Sequence, residues 1–189
     1  MVSGGVGGVR QRMRVIAGRL GGRNFVSPKT QRTHPMSDKV RGALFNALGD
    51  LDGLTVLDAF AGSGACSIEA VSRGASHVLA IDIDPEAVKT IAENVRSLEL
   101  EGAIDVRRKN ISGWSRNNQS LQFDIVLADP PYNDIRPDVL ERLTVHIKPG
   151  GLLVLSWPGS EAVRDFTGLA VVSHKSYGDA QLVFYKRPE

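Results

Sequence analysis

Apolar and polar positions fall into blocks along the chain, and the blocks have strand length or helix length. LTVLDAF (54–60), HVLAIDI (77–83), FDIVLAD (123–129) and GGLLVLSW (150–157) are near-continuous apolar runs. Runs of that length and density fit strands buried on both faces. IDVRRKN (104–110) is a weaker member of the series. Between the runs lie segments with helical character. One covers Ala65 to Arg73 and stops at Gly74; another starts with Pro85 at a first helical position and continues to about Leu98; a third covers 137–146. Strands separated by helices predict a parallel sheet covered on both sides. The tail LAVVSHKSYGDAQLVFYKR (169–187) reads as two strands around Gly178-Asp179, an antiparallel pair that closes the sheet. The fold expected is α/β: a doubly wound, mostly parallel seven-stranded sheet.

The front of the chain has a different pattern. MRVIAGRLGGRNFV (13–26) predicts a short N-terminal β-hairpin around Gly21-Gly22, and Pro28 to Met36 predicts a loop. Ser37 then caps a helix with Asp38 in its first turn and Val40, Leu44, Phe45 and Leu48 on one face. Residues 1–12, with four glycines, read as a flexible leader.

Composition narrows the class. The 189 residues are 42% hydrophobic and 23% charged, which is globular, and a single Cys excludes an internal disulfide. No apolar run has the length of a bilayer span, and the first dozen residues lack the apolar centre of a secretory signal. A cytoplasmic protein is expected. The four histidines are scattered without ligand spacing, so no metal site is expected. The net charge of +2 hides an asymmetry: residues 1–46 hold nine basic groups and one acidic, while the rest hold 14 basic and 20 acidic. A basic front on an acidic body points to a polyanionic partner.

Three short segments carry chemistry. VLDAFAGSGA (56–65) places Asp58 at a strand end and Gly62 and Gly64 in the turn before a helix. Glycines there let the backbone approach a ligand closely. Ser67 stands where the third glycine of a dinucleotide fingerprint falls, and no GK[ST] follows, so neither a dinucleotide site nor a P-loop is indicated. Asp58 would repel a pyrophosphate and attract an ammonium. S-adenosylmethionine offers a cationic amino-acid end and no phosphate. Asp82 ends the next strand, 24 residues on, where a carboxylate can accept both ribose hydroxyls; Asp84, before Pro85, reads as a helix cap. Asp129-Pro130-Pro131-Tyr132 closes the fourth apolar run. Two prolines make a stiff corner, and the Asp129 carboxylate with the Pro130 carbonyl can accept both hydrogens of a planar amine. Tyr132 offers a ring on which a base can stack.

With these segments together, the chain resembles the class I S-adenosylmethionine-dependent methyltransferases, most closely the RsmD-type rRNA guanine-N2 methyltransferases. RVIAGRLGGRNFVSP and SDKVRGALFNAL are similar to that family's basic hairpin and following helix, LDAFAGSGACSIEA to its cofactor loop, DPPY to its amine-gripping turn and YGDAQL to its closing hairpin. The resemblance implies a cofactor site of Asp58, Phe60, Gly62, Gly64, Asp82, Ile83, Asn110 and Ile111, and a catalytic group of Asp129, Pro130 and Tyr132. His34 stands where the family has an Arg, and Asn110-Ile111 where an Asp receives the adenine amino group; the Asn110 oxygen can still accept that bond. Arg14, Arg19, Arg23 and Arg41 are the candidate phosphate contacts. The division expected is a leader (1–12), a basic hairpin and helix that dock RNA (13–49), and a methyltransferase domain (50–189). The expected partner of a monomer is rRNA or an assembling small ribosomal subunit. A DNA amino-methyltransferase and a non-catalytic RNA-binding protein with a vestigial cofactor site are the alternatives.

Overall fold

Each apolar run becomes a strand of one sheet. The computed structural model describes residues 10–29 and 36–189. The sequence elements are β1 (Arg12–Arg14), β2 (Asn24–Val26), α1 (Asp38–Leu48), β3 (Thr55–Asp58), α2 (Ala65–Ser72), β4 (His77–Asp82), α3 (Pro85–Ser97), β5 (Ile104–Arg108), α4 (Ile111–Asn117), β6 (Phe123–Ala128), α5 (Pro137–Leu143), β7 (Ile147–Pro158), β8 (Ala170–Tyr177) and β9 (Ala180–Lys186). The seven-stranded sheet has the order β5-β4-β3-β6-β7-β9-β8, and a separate two-stranded hairpin joins β1 to β2. Pairing is parallel from β5 through β7 and antiparallel for β7–β9 and β9–β8.

Alternate strand residues face opposite layers. Val56, Val78, Ala80, Ile125 and Leu127 pack with α1, α2 and α3 through Leu44, Phe45, Ile68, Ile91 and Val95. Leu57, Leu79, Ile81, Val126 and Leu153 pack with α4 and α5 through Trp114, Val139, Leu140 and Leu143. Helices on both faces make the sheet doubly wound, as its apolar runs require. Among the described residues no helix is long and apolar enough to cross a membrane.

The hairpin differs from its sequence expectation. Its ladder has three pairs, Arg12↔Val26, Met13↔Phe25 and Arg14↔Asn24, so it begins inside the segment expected to be leader. Residues 1–9 of that leader lie outside the described residues, as does His34. Between the strands the ladder continues only through Val15, which bonds to Arg23 and Gly22, while the intervening backbone bonds to α2. Ile16 and Ala17 donate to the Glu69 carboxylate at 2.8 and 3.1 Å, Leu20 donates to Ser72 Oγ at 3.0 Å, and Arg19 donates to the Ser72 carbonyl at 2.8 Å. Gly18, at φ +82°, lies so close that a Cβ would collide with that carbonyl. On the other side, Asn94 of α3 exchanges two hydrogen bonds with the Val26 backbone, and Arg10 meets Glu93 at 2.6 Å. Val15, Leu20 and Phe25 of the hairpin and Leu44 and Phe45 of α1 are in the same core as the sheet, so the hairpin and α1 are built into the body.

Helix α4 has no counterpart in the sequence reading. Asn110, read as the end of a strand, caps it by accepting from Ser112 and Gly113 at 3.0 and 3.2 Å, and Ile111, Trp114 and Ser115 supply its buried side.

Candidate active site

Parallel strands turn three acids toward the same edge. β3 lies between β4 on one side and β6 on the other, so the chain's crossovers diverge at the crevice between β3 and β6. Ligands of doubly wound sheets bind at the carboxyl ends of the strands beside such a divergence. Asp58 ends β3, Asp82 ends β4 and Asp129 follows β6, and all three line one cleft of about 1840 Å³. A single small-ligand pocket is about 300–1,000 Å³, so the cleft has room for two ligands side by side.

Asp58 is only 3% exposed, and one oxygen accepts the Ser67 hydroxyl at 2.6 Å. Burial pushes its carboxyl up to about 7, and the neighbouring Asp129 and Asp82 add to the rise. Among the described residues no lysine, arginine or histidine forms an ion pair with it. A buried acid without a cation is costly, and a ligand that brings a positive charge removes the cost. The glycine loop beside it has Gly62 at φ +53° and Gly64 at φ +77°, the latter opening α2. A Cβ on Gly64 would press on Ile91, so the tight turn also serves the packing of α3.

Asp82 has one hydrogen bond on each oxygen: Gly62 N–H donates to Oδ2 at 2.7 Å and Asp84 N–H to Oδ1 at 2.8 Å. A carboxylate offers about four acceptor positions, so each oxygen retains one for a diol. Burial raises its carboxyl pKa, an effect these donors oppose. Asp84 caps α3 through Glu86, as its place before Pro85 indicated.

Asp129 is half-buried, and desolvation raises its carboxyl while the Ser156 hydroxyl against it works in the opposite direction. Pro130 is buried, and Tyr132 stands 41% exposed with its hydroxyl 2.8 Å from Ser156 Oγ. Phe60, Ile83, Asn110 and Ile111 also line the cleft, and Ile83 is the most exposed large apolar residue of those described. Val40 and Leu44 of α1 and Tyr177 of β8 line the cleft as well. Cys66 lies in the cleft too, but burial and the carboxylates of Asp58 and Asp129 raise its thiol well above the ordinary value, which keeps it protonated.

Two sequence expectations are corrected. Arg41 is not a phosphate contact: it is 0% exposed, donates to the Arg14 carbonyl at 2.7 Å and to Asp38 at 2.9 Å, and approaches the buried Glu69 at 3.9 Å. It ties α1 to the hairpin and α2. The Asn110 oxygen is not free for an adenine amino group, because capping α4 uses both of its lone pairs. Arg14, Arg19 and Arg23 are exposed on the hairpin. Sequence reasoning missed Ser156; its signal was a polar residue at the carboxyl end of an apolar strand run, the position at which Asp58, Asp82 and Asp129 were found.

Comparison with known proteins agrees with this geometry. A profile of the family described as Conserved hypothetical protein 95 matches residues 13–186. The chain is 31% identical over 182 residues to YlbH of Bacillus subtilis (strain 168), provisionally named an rRNA methyltransferase, covering 93% of this chain and 99% of that one. It is 32% identical over 121 residues to Ribosomal RNA small subunit methyltransferase D of Escherichia coli (strain K12), covering 64% of this chain and 60% of that protein. Among solved structures, yhhF of Escherichia coli, provisionally named a methyltransferase, has the same fold: TM-score 0.84 at 24% identity, over 94% of this chain and 99% of that one.

Proposed function

The chain belongs to the Conserved hypothetical protein 95 family, and from that premise we propose that it transfers a methyl group from S-adenosylmethionine to an exocyclic amine of a nucleobase, guanine N2 in small-subunit rRNA. The observation that carries the proposal is the pairing, in one cleft, of a cation-seeking acid with an amine-gripping corner: Asp58 at the end of β3 and Asp129-Pro130 after β6. The rRNA substrate follows the name of the Escherichia coli relative.

The residues fit the cofactor. Asp58 would hold the ammonium and Asp82 the ribose hydroxyls, the glycine loop would let the backbone close on the ligand, and Ile83 would cover the adenine face. When bound, the cofactor supplies a sulfonium methyl whose carbon–sulfur bond breaks, its electron pair returning to sulfur, as the amine lone pair forms the new carbon–nitrogen bond. The Asp129 carboxylate and the Pro130 carbonyl accept the two amine hydrogens. That directs the lone pair, otherwise delocalised into the ring, toward the methyl carbon. As positive charge grows on nitrogen, the fixed negative charge of Asp129 stabilises it, and the surplus proton leaves to Asp129 or to water. Tyr132 stacks on a base withdrawn from its helix, a step costing a few kcal/mol. Arg14, Arg19 and Arg23, exposed on the hairpin, contact phosphates of the RNA.

The test is incubation with methyl-labelled S-adenosylmethionine and, in parallel, deproteinised rRNA, assembled small subunits and DNA. Label entering rRNA or subunits supports the reading. Label entering DNA alone reassigns the substrate, and cofactor binding with no transfer to any of the three makes the chain a binding protein.

A further inference from the structure

We infer that Ser156, at the carboxyl end of β7, is a positioning residue that holds the stacking ring of Tyr132 and the amine-accepting carboxylate of Asp129 in one fixed relation. The inference rests on the proposed methyltransferase reading of the same cleft. The parallel register pairs Ala128 with Leu155, so the next residues, Asp129 and Ser156, emerge side by side at the edge of the sheet. Ser156 is 5% exposed and lines the cleft, and its strand is flanked by β6 and β9, with Ser156 opposite Leu182. Its hydroxyl is therefore an anchor that cannot drift. Tyr132 is the contrary case: it sits in an exposed turn, and among the described residues its hydroxyl bonds only to Ser156, at 2.8 Å.

A serine hydroxyl donates once and accepts twice. Between a carboxylate, which only accepts, and a phenol, which can donate, one direction satisfies every group. In that direction the Tyr132 hydroxyl donates to Ser156 Oγ, 2.8 Å away, and the Ser156 proton is left for Asp129, its neighbour across the strand ends. Hydrogen bonds linked in this way strengthen one another. The chain leaves the outer acceptor positions of Asp129 for the amine and favours its ionised form, in keeping with the direction in which Ser156 moves that carboxyl. Removing the hydroxyl frees the ring and withdraws the donor at once.

The experiment compares Ser156→Ala and Ser156→Thr with the unaltered protein. For transfer to nucleic acid, Ser156→Ala lowers kcat about tenfold to a hundredfold, leaves the KM for S-adenosylmethionine unchanged, and moves the acid limb of the rate profile to higher pH. Ser156→Thr, which keeps the hydroxyl, restores kcat and the profile. In the protein without ligands, the Asp129 carboxyl carbon resonance, assigned by its loss in Asp129→Asn, titrates at higher pH in Ser156→Ala. An unchanged titration midpoint, or a threonine variant as impaired as the alanine one, overturns the inference. If the unaltered protein transfers no methyl group, the functional reading fails on its own, and the resonance still decides whether Ser156 acts on Asp129.

Discussion

Replacing Asp58 by Asn should make the ligand-free protein more stable at alkaline pH while destroying its hold on the cofactor. Asp58 titrates near 7 in the folded protein against 3.8 for the ordinary carboxyl, because it is buried beside two other carboxylates. A folded-state pKa above the unfolded one means that the native state binds the proton more tightly. The associated stability is complete below the unfolded value and is lost as pH rises to the folded one. At 1.36 kcal/mol per unit, the full loss is about 4 kcal/mol, of which about 3 kcal/mol falls between pH 5 and 8.5. Asn has nearly the same shape, can accept the Ser67 hydroxyl and does not titrate. Urea unfolding at pH 5 and 8.5, without ligand, should therefore show the Asp58 protein losing about 3 kcal/mol more than Asp58→Asn. Adding S-adenosylmethionine at pH 8.5 should stabilise only the Asp58 protein, since its ammonium supplies the missing charge. Equal losses in the two proteins would refute the reasoning, and so would equal stabilisation by the cofactor.

Other residues divide by the step they serve. Asp129→Ala should reduce transfer by at least a hundredfold while calorimetry still detects S-adenosylmethionine binding. Asp82→Ala should weaken that binding by tenfold or more, because the ribose hydroxyls lose a charged acceptor. Single replacements of Arg14, Arg19 or Arg23 by Gln should weaken RNA binding and reduce the salt slope by about 1 each, measured by filter binding between 50 and 200 mM salt. Arg41→Ala should instead lower stability by about 3 kcal/mol in urea unfolding, because it opens a buried ionic network. Point replacements are the proper probe of this region: Val15, Leu20 and Phe25 are in the core, so truncating the hairpin removes part of the fold with it.

How much of this was legible in the chain varies with the range of the interaction. The sheet was, because apolar runs such as HVLAIDI are buried whole and their period is local. The acids Asp58, Asp82 and Asp129 were, because each directly follows such a run, and a strand end in a parallel sheet is a site edge. Helix α4 was not: Ser112, Gly113 and Ser115 give it weak propensity, and Asn110 suits a strand end as well as a cap. Arg41 was misread because charge patterning counts arginines without knowing their neighbours. Of its two acids, Asp38 is three residues away and half exposed, but the buried one, Glu69, lies 28 residues away on another helix. The shape of the hairpin failed for the same reason, since the hydrogen-bond acceptors of Ile16 to Leu20 are on α2. Ser156 carried only the signal of a polar residue in an apolar run, and the register that sets β7 beside β6 brings it next to Asp129.

The most direct test of the account is the chemical identity of the methylated product. rRNA or small subunits treated with the protein and methyl-labelled S-adenosylmethionine are digested to nucleosides and resolved by mass spectrometry, with Asp129→Asn in parallel. The account predicts label in N2-methylguanosine and its loss in the variant. Label on a ring carbon, a ring nitrogen or a ribose hydroxyl, or undiminished N2-methylguanosine from Asp129→Asn, would contradict it.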